Sequence, residues 1–429
     1  MAPLRMEALM SEPKPESKTS RAPLRFVHAS DLHLERPLSG LLEIPEHLHE
    51  ALREAPFQAA LQVFETALAE NADALLLAGD VIDPVKAGPR AMVFLIAQFK
   101  RLQARGIPVF WAGGRTDPPA AWPPSTPLPD NVHVFPVGRV EQRDISKRGE
   151  VVARVQGISR AEGGSVDASG FHRDAHGRYT VGVAYLTSDS PGKEGDRVNY
   201  MALGGRHRRA TVDVEPGIAH FPGTPQGRRA KESGPAGCSV VQVDEAGQTT
   251  TRFVACDAVR WIDESVEITA TVTKDQLLAR LKERLDKLRA KNQGRDCLIT
   301  WTIRGAGPLI AQLRPGALAD ELLADLQKYD GRQQPACWSV EVCTDAEVET
   351  PAEWLEQETI LGDAMRSFHE LERNEKTPLD LTKLLPNGLD ASELRELATI
   401  KTADDRAAVL RGAKRLAASL LNSDELAAK

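Results

Sequence analysis

The chain has 429 residues, of which 41% are hydrophobic, and it carries a net charge of −7 from 54 basic and 61 acidic side chains. That length predicts two or three domains. The acidic balance excludes a protein that coats nucleic acid over its whole surface, so nucleic-acid contact would need local basic patches. No apolar run reaches the length of a membrane span. The five cysteines include no Cys-x-x-Cys pair, which predicts reduced thiols and a cytoplasmic protein.

The first part of the chain alternates predicted strands and helices. Residues 1–24 lack the apolar core of a signal peptide, and their Pro, Ser, Lys and Glu content predicts a disordered tail. The elements that follow are a strand ending in Asp31-Leu32-His33, a helix over 51–70, a buried strand over 74–78 that stops at Gly79-Asp80, a helix over 89–104, and a strand over 107–111 that leads into a loop at 113–117. This pattern predicts a parallel sheet with right-handed crossovers.

The strand ends carry the candidate site. Open α/β sheets place their sites at the carboxyl ends of the strands, where Asp31, His33, Asp80 and the 113–117 loop are expected to meet. On an extended backbone residues i and i+2 point to the same side, which predicts that Asp31 and His33 converge. A divalent cation that makes a nucleophile from water accepts this ligand pair.

Further strands are predicted over 151–155, 181–185, 200–204 and 238–243. Near Trp261 a smaller α+β module begins, with a capping box at Thr273 and Gln276 that opens a helix. The end of the chain is predicted to be helical, with Ile360, Ala364, Phe368 and Leu371 on one face. The predicted boundaries are a tail over 1–24 and domains over 25–262, 263–348 and 349–429.

These motifs resemble those of the SbcD/YhaO branch of the calcineurin-like metallophosphoesterases, bacterial relatives of the eukaryotic double-strand-break repair nuclease. That family has Asp-x-His, Gly-Asp, Gly-Asn-His-Asp, a strand-end His and Gly-His-x-His in this order. The segment Gly223-Thr224-Pro225-Gln226-Gly227-Arg228 also resembles the family's Pro-Gly-x-x-Gln-Gly-Arg. The resemblance covers about residues 25–370. It implies an α/β calcineurin-like metallophosphoesterase sandwich, a smaller α+β capping domain and a helical C-terminal tail.

The resemblance also implies two metal ions about 3.5–4 Å apart, joined by a bridging carboxylate. The positions that would hold the first ion are all occupied by ligand residues, namely Asp31, His33, Asp80 and His207. Of the second ion's ligands only Asp80 remains, because the other positions hold Arg115, Tyr185 and Gly205, and Thr116 replaces the phosphate-site His.

The expected cofactor is therefore one divalent metal, Mn or Zn, or none if the four residues form a polar cluster. Arg115 is always protonated, so its guanidinium could replace the missing charge beside Asp80, with help from Arg206. The candidate catalytic residues are Asp80, Arg115, Asp117 and Arg206.

By this resemblance the chain is the nuclease subunit of a DNA end-processing complex, of the 3′–5′ exonuclease type, with an altered centre whose activity is left open. The alternative is an inactive scaffold that binds DNA or a coiled-coil ATPase. A small-substrate phosphodiesterase is a weaker third reading, against which the capping domain and tail argue.

The partners implied are double-stranded DNA ends, an SMC-like coiled-coil ATPase and a second copy of the chain, with no membrane. The candidate DNA contacts are Arg208, Arg209, Arg228, Arg229 and Lys231, although such runs are also common as solvated charge. The C-terminal helices would dock on the ATPase or, alternatively, pack on their own capping domain.

Overall fold

The computed structural model describes residues 22–41, 44–186, 197–213, 217–292, 294–305, 307–313, 317–344, 352–374, 379, 400 and 403–421. Nearly all of the predicted disordered tail lies outside these ranges. The chain forms two compact units, the first over Met1–Ile262 with Gly294–Cys297 and the second over Asp263–Gln293 with Leu298–Lys429. Within the described ranges, no helix combines the length and the apolar character that crossing a membrane requires.

The first unit is built on two six-stranded sheets. In chain order its strands are β1 (Leu24–Ala29), β2 (Ala74–Leu77), β3 (Val109–Trp111), β4 (Val132–Val134), β5 (Glu141–Lys147), β6 (Glu150–Ile158), β7 (Tyr179–Tyr185), β8 (Tyr200–Gly204), β9 (Ala210–Asp213), β10 (Ile218–Phe221), β11 (Gly237–Val243) and β12 (Thr249–Ala255). The strand orders are β12-β11-β1-β2-β3-β4 and β5-β6-β7-β8-β10-β9. Strands β1 to β4 pair in parallel, and so do β6, β7, β8 and β10.

The two sheets pack face to face through a buried apolar layer. Leu76 of β2 points into this layer with Phe26 and Phe110, opposite side chains of the second sheet. Leu75 and Leu77 point the other way, toward helices α1 (Glu46–Ala69) and α2 (Gly88–Gln103). Because both faces of β2 are covered, its four residues are all apolar and fully buried.

The predicted α/β sandwich is confirmed, and most differences from the predicted elements are at their ends. Helix α1 begins at Glu46 and not near residue 51, since Leu48 and Leu52 extend its buried face by one more turn. The predicted strands over 151–155 and 181–185 are longer than their apolar runs, because β6 and β7 pair over six residue positions.

The second unit contains a three-stranded sheet, in the order β13 (Val259–Ile268), β14 (Asp296–Gly305) and β15 (Cys337–Thr344). Its helices are α3 (Lys274–Lys291), α4 (Pro308–Gln312), α5 (Ala317–Asp330), α6 (Ala352–Glu356), α7 (Ile360–Arg373) and α8 (Ala403–Leu421). The capping box of α3 is present, since Thr273 accepts from the Gln276 main chain and Gln276 from the Thr273 main chain.

The predicted apolar face of α7 is correct at Phe368 and wrong at Ile360. Ile360 is 75% exposed, whereas Leu361 and Met365 are buried and Phe368 packs beside them. Gly362 is also buried, and a Cβ there would lie 2.1 Å from the carbonyl oxygen of Gln357. This face of α7 packs on α6 and on Ala417 of α8.

Replacing Leu76 by Ala should lower the free energy of opening of the β1–β3 amides by about 2–5 kcal/mol, because it leaves a cavity between the sheets. Native-state hydrogen exchange measures this energy strand by strand. The matched control is Val85→Ala, since Val85 is 84% exposed and should change little. An equal effect of both substitutions would contradict the assigned core.

Candidate metal centre

The main chain of the site turns at residues that follow strands β1 and β2. Asp31, His33 and Asp80 have φ angles of 55°, 42° and 50°, in the left-handed region that costs such residues on the order of 1–3 kcal/mol each. The two turns are joined, since the Asp31 N–H donates to Gly79 O at 2.9 Å and the His33 N–H to Asp80 O at 3.0 Å. Asp31 and His33 do converge, but strand alternation is the wrong reason, because β1 ends at Ala29.

Three side chains bring one ligand atom each to a common point. Oδ1 of Asp31 lies 4.0 Å from Nε2 of His33 and 3.9 Å from Nε2 of His207. All three ligand atoms lie within 4.8 Å of one another. Metal–ligand distances near 2.0–2.2 Å put tetrahedral neighbours about 3.3–3.6 Å apart, so a small contraction completes such a shell. Asp80 lies beside this group, with Oδ2 3.7 Å from His33 Nε2.

Two of these ligand atoms are buried and have no hydrogen-bond partner in the part of the chain that the structure describes. They are Oδ1 of Asp31 and Nε2 of His33. A buried carboxylate oxygen without a partner is costly, and a cation placed between these atoms would remove that cost. Oxygen and imidazole nitrogen donors suit Mn or Zn. The residues present therefore fit one divalent ion.

A carboxylate lies behind each of the two histidines. Nδ1 of His207 donates to Oε1 of Glu232 at 2.7 Å, which leaves Nε2 facing Asp31. Nδ1 of His33 lies 3.5 Å from Oε1 of Glu35 without a hydrogen bond between them. Carboxylate–histidine pairs are typical of metal sites. The other oxygen of Asp31, Oδ2, accepts from the Gly205 main chain at 3.0 Å. Sequence reasoning missed both glutamates, although Glu35 lies only two residues after a predicted ligand.

The electrostatics of the site favour metal-binding protonation states. Burial, followed by the charge of Arg228, lowers the pKa of His33 well below its ordinary value, which keeps the ring neutral. Burial raises the pKa of Asp31, and a bound cation would oppose that rise. Burial favours a higher pKa for Glu232 as well, but the hydrogen bond and charge of His207 outweigh it and lower the pKa of Glu232 to about 2.

Both carboxylate oxygens of Asp80 accept hydrogen bonds from the protein. The Tyr185 hydroxyl donates to Oδ2 of Asp80 at 2.9 Å. Oδ1 accepts from the main chains of Arg115 at 2.6 Å and Thr116 at 2.9 Å. Burial, followed by the charge of Asp80, raises the pKa of Tyr185, so the hydroxyl keeps its proton and donates. Arg115, expected to act through its guanidinium, thus supplies its main-chain N–H to Asp80, while its side chain is exposed.

The ring of Tyr185 is packed into this position. A Cβ added to Gly79 or to Gly114 would lie 2.7 Å from its Cδ2 atom. At Gly205, where φ is +98°, a Cβ would lie 3.0 Å from Tyr185 Cζ. The guanidinium of Arg160, a residue not singled out from the sequence, lies 5.7 Å from the centre of the Tyr185 ring. Tyr185 and Gly205 therefore fit each other, and a histidine at 205 would meet the tyrosine.

Asp117 and Arg228 bind main-chain groups that carry the site. The carboxylate of Asp117 accepts from the main chains of Asp80, Val81 and Gly114 and from the Trp111 indole. Burial, followed by the charge of Asp80, raises the pKa of Asp117 to about 7. These bonds give Asp117, a candidate catalytic residue, a positioning role in this structure.

Arg228, expected among the DNA contacts, is only 5% exposed. Its guanidinium donates to the carbonyls of Asp31 at 3.1 Å and Leu32 at 2.7 Å, and to Thr224 Oγ1 at 3.2 Å. These bonds clamp the main chain of the Asp-x-His motif, so Arg228 supports the metal centre from within. It is not part of an exposed basic surface.

The other basic candidates lie at the rim of the site. Arg208, Arg209, Arg229 and Lys231 are exposed. Arg209 lies over Phe253, and Arg229 pairs with Glu232 at 3.1 Å. Arg206 is partly buried, 5.5 Å from the Phe221 ring centre. The run 206–209 contains His207, and 229–231 directly precede Glu232, so both runs are adjacent in sequence to residues of the candidate centre.

Two family models match this chain. Residues 24–182 match the calcineurin-like phosphoesterase family, and residues 261–347 match the middle domain of the metallophosphoesterase YhaO. The first match contains Asp31, His33 and Asp80, which the site geometry brings together.

One protein of known sequence and one of known structure are similar to this chain. An uncharacterized metallophosphoesterase YhaO from Bacillus subtilis is 27% identical over 369 residues, which cover 82% of this chain and 88% of that protein. A solved dimetal phosphatase from Danio rerio overlaps 53% of this chain and 98% of its own, with 11% identity and a TM-score of 0.31. Residues 24–182 thus match the calcineurin-like phosphoesterases, and the chain is similar over most of its length to a YhaO-type metallophosphoesterase.

Proposed function

We propose that this chain is a phosphodiesterase with a one-ion centre, which acts on DNA as the nuclease-type subunit of an end-processing complex. Asp31, His33 and His207 would hold one Mn or Zn ion, with Asp80 beside them. At this position a divalent ion acidifies a water molecule and polarises a phosphoryl oxygen.

The observation that carries the proposal is the contrast between the unsatisfied ligand atoms and the satisfied carboxylate of Asp80. Asp31 Oδ1 and His33 Nε2 are buried, have no hydrogen-bond partner among the described residues and lie near His207. Both oxygens of Asp80 already accept hydrogen bonds, Oδ2 from the Tyr185 hydroxyl and Oδ1 from the main chains of Arg115 and Thr116. The proposed ion is therefore held by Asp31, His33 and His207, positions at which the sequence retains ligand residues.

The surrounding residues have distinct tasks in this centre. Arg228 clamps the carbonyls of Asp31 and Leu32, so the acidic ligand keeps its direction. Tyr185 holds Asp80 by a neutral donor where a second cation would act. We propose that the exposed guanidinium of Arg115, whose main-chain N–H binds Asp80, contacts a phosphoryl oxygen of the substrate.

DNA is the proposed substrate because exposed basic side chains border the ion. Arg208 and Arg209 follow His207 directly, and Arg229 and Lys231 lie beside Glu232. Such side chains bind the phosphate backbone without reading sequence, as an end-processing nuclease requires.

An inactive scaffold is the second candidate, and the Tyr185–Asp80 bond is the observation that favours it. With one ion the centre cannot hold both the attacking and the leaving oxygen, as two-ion sites do. Such a scaffold would keep the basic rim and bind DNA without cutting it. In either case we propose that a coiled-coil ATPase supplies ATP hydrolysis, since the sequence has no phosphate-binding Gly-x-x-x-x-Gly-Lys loop.

Metal content should distinguish one ion from two. After loading with Mn²⁺ and desalting, the wild type should keep one equivalent per chain. Gly205→His alone should add none, because φ at 205 is +98° and its Cβ would lie 2.8 Å from Leu186 O and 3.0 Å from Tyr185 Cζ. The combination of Arg115→Asn, Thr116→His, Tyr185→His and Gly205→His should add a second equivalent, as it restores the family ligands and removes the tyrosine. Two equivalents in the wild type would contradict the one-ion centre.

Hydrolysis should depend on the retained ligands. With Mn²⁺ and linear double-stranded DNA, Asp31→Asn should reduce the rate at least about 100-fold, since even outer-shell partners of a metal cost about 10–100-fold. The matched control is Glu65→Gln, an exposed carboxylate paired with Arg101 on the helical side, which should keep the wild-type rate. A wild type that binds DNA tightly without any Asp31-dependent cleavage would leave the scaffold as the correct function.

A further inference from the structure

The best-defined contact around the candidate ligands that the family motifs do not include is made by Glu232. We infer that Glu232 is a positioning residue for His207, whose ring it fixes so that Nε2 faces the ion position. The inference rests on the proposed metal centre, and it concerns His207, the most exposed of the three candidate ligands.

The Glu232 side chain is 9% exposed, and both of its oxygens are used. Oε1 accepts from His207 Nδ1 at 2.7 Å and from Arg229 Nε at 3.1 Å, while Oε2 accepts from the Arg228 main chain at 2.8 Å. Its own N–H donates to Arg229 O at 2.8 Å, which closes the turn over 229–232. The carboxylate is therefore held in place from both sides.

His207 needs such a partner more than His33 does. The His33 side chain is fully buried, and its main chain is bonded to Asp80, so packing alone restricts the ring. The His207 side chain is 27% exposed and lies after the end of β8, where one side of the ring is open. The Glu35 carboxylate lies 3.5 Å from His33 Nδ1, but Glu232 is at full hydrogen-bond distance from His207.

The contact has a defined chemical effect on the ring. When Glu232 accepts from Nδ1–H, the proton of the neutral imidazole stays on Nδ1 and the lone pair is left on Nε2. A carboxylate acceptor also makes the imidazole a stronger ligand, and loss of such a partner typically weakens metal binding about 10–100-fold. Nothing in the motif spacing around His207 points to a residue 25 positions later.

The test is the Mn²⁺ dissociation constant of the full chain, measured by titration and compared with the melting temperature of the metal-free protein. Glu232→Ala should weaken binding about 10–100-fold. Glu232→Gln should lose less Mn²⁺ affinity than Glu232→Ala, because an amide oxygen can still accept from His207 Nδ1. The control variant Glu65→Gln, which removes an exposed carboxylate, should bind Mn²⁺ as the wild type does.

A double-mutant comparison separates positioning from a general effect on the 229–232 turn. In a His207→Ala background, Glu232→Ala should weaken Mn²⁺ binding no further, because Glu232 acts through His207. The inference is overturned if Glu232→Ala binds with wild-type affinity, or if it costs the same with and without His207. If the wild type takes up no Mn²⁺, the proposed metal centre itself is wrong, which is distinct from a failure of the Glu232 inference.

Discussion

The hydrogen bond from Tyr185 to Asp80 decides what this site can do. It places a proton-bearing hydroxyl 2.9 Å from Oδ2 of Asp80, the oxygen that also lies 3.7 Å from His33 Nε2. The Tyr185 ring fills the space against Gly79 and Gly114, and Gly205 leaves room for it. Main-chain N–H groups of Arg115 and Thr116 and the Tyr185 hydroxyl thus satisfy both oxygens of Asp80.

The ligand residues Asp31 and His33 and the neighbouring Asp80 are buried and have strained, left-handed main-chain conformations. Three residues with left-handed φ carry the site, and their cost is met by a buried frame in which Asp117 and Arg228 bind the surrounding main chain. Asp31 keeps one oxygen in that frame and leaves the other without a partner. The cation proposed between Asp31, His33 and His207 would give that oxygen a partner.

The parallel strands of the first sheet and the meeting of Asp31, His33 and Asp80 near their ends could be predicted from the sequence because they depend on local patterns, whereas His207 was expected only from the family resemblance. Apolar runs such as Ala74–Leu77 predict buried parallel strands, and the strand ends place Asp31 and Asp80 at one edge. Long-range contacts could not be predicted in this way. Arg228 belongs to a basic run that predicts an exposed DNA contact, but it is buried against the main chain of Asp31. Glu232 is 25 residues from His207 in sequence, and only the folded chain brings the two side chains together. Leu361 and Met365 of α7 are buried although the predicted stripe does not include them, because their burial depends on packing against α6 and α8.

The most direct test of the one-ion centre is anomalous diffraction from crystals of the full chain grown with Mn²⁺. The expected result is one peak between Asp31, His33 and His207, with the Tyr185 hydroxyl still at hydrogen-bond distance from Asp80. Two peaks on opposite sides of Asp80, with Tyr185 displaced, would contradict the account.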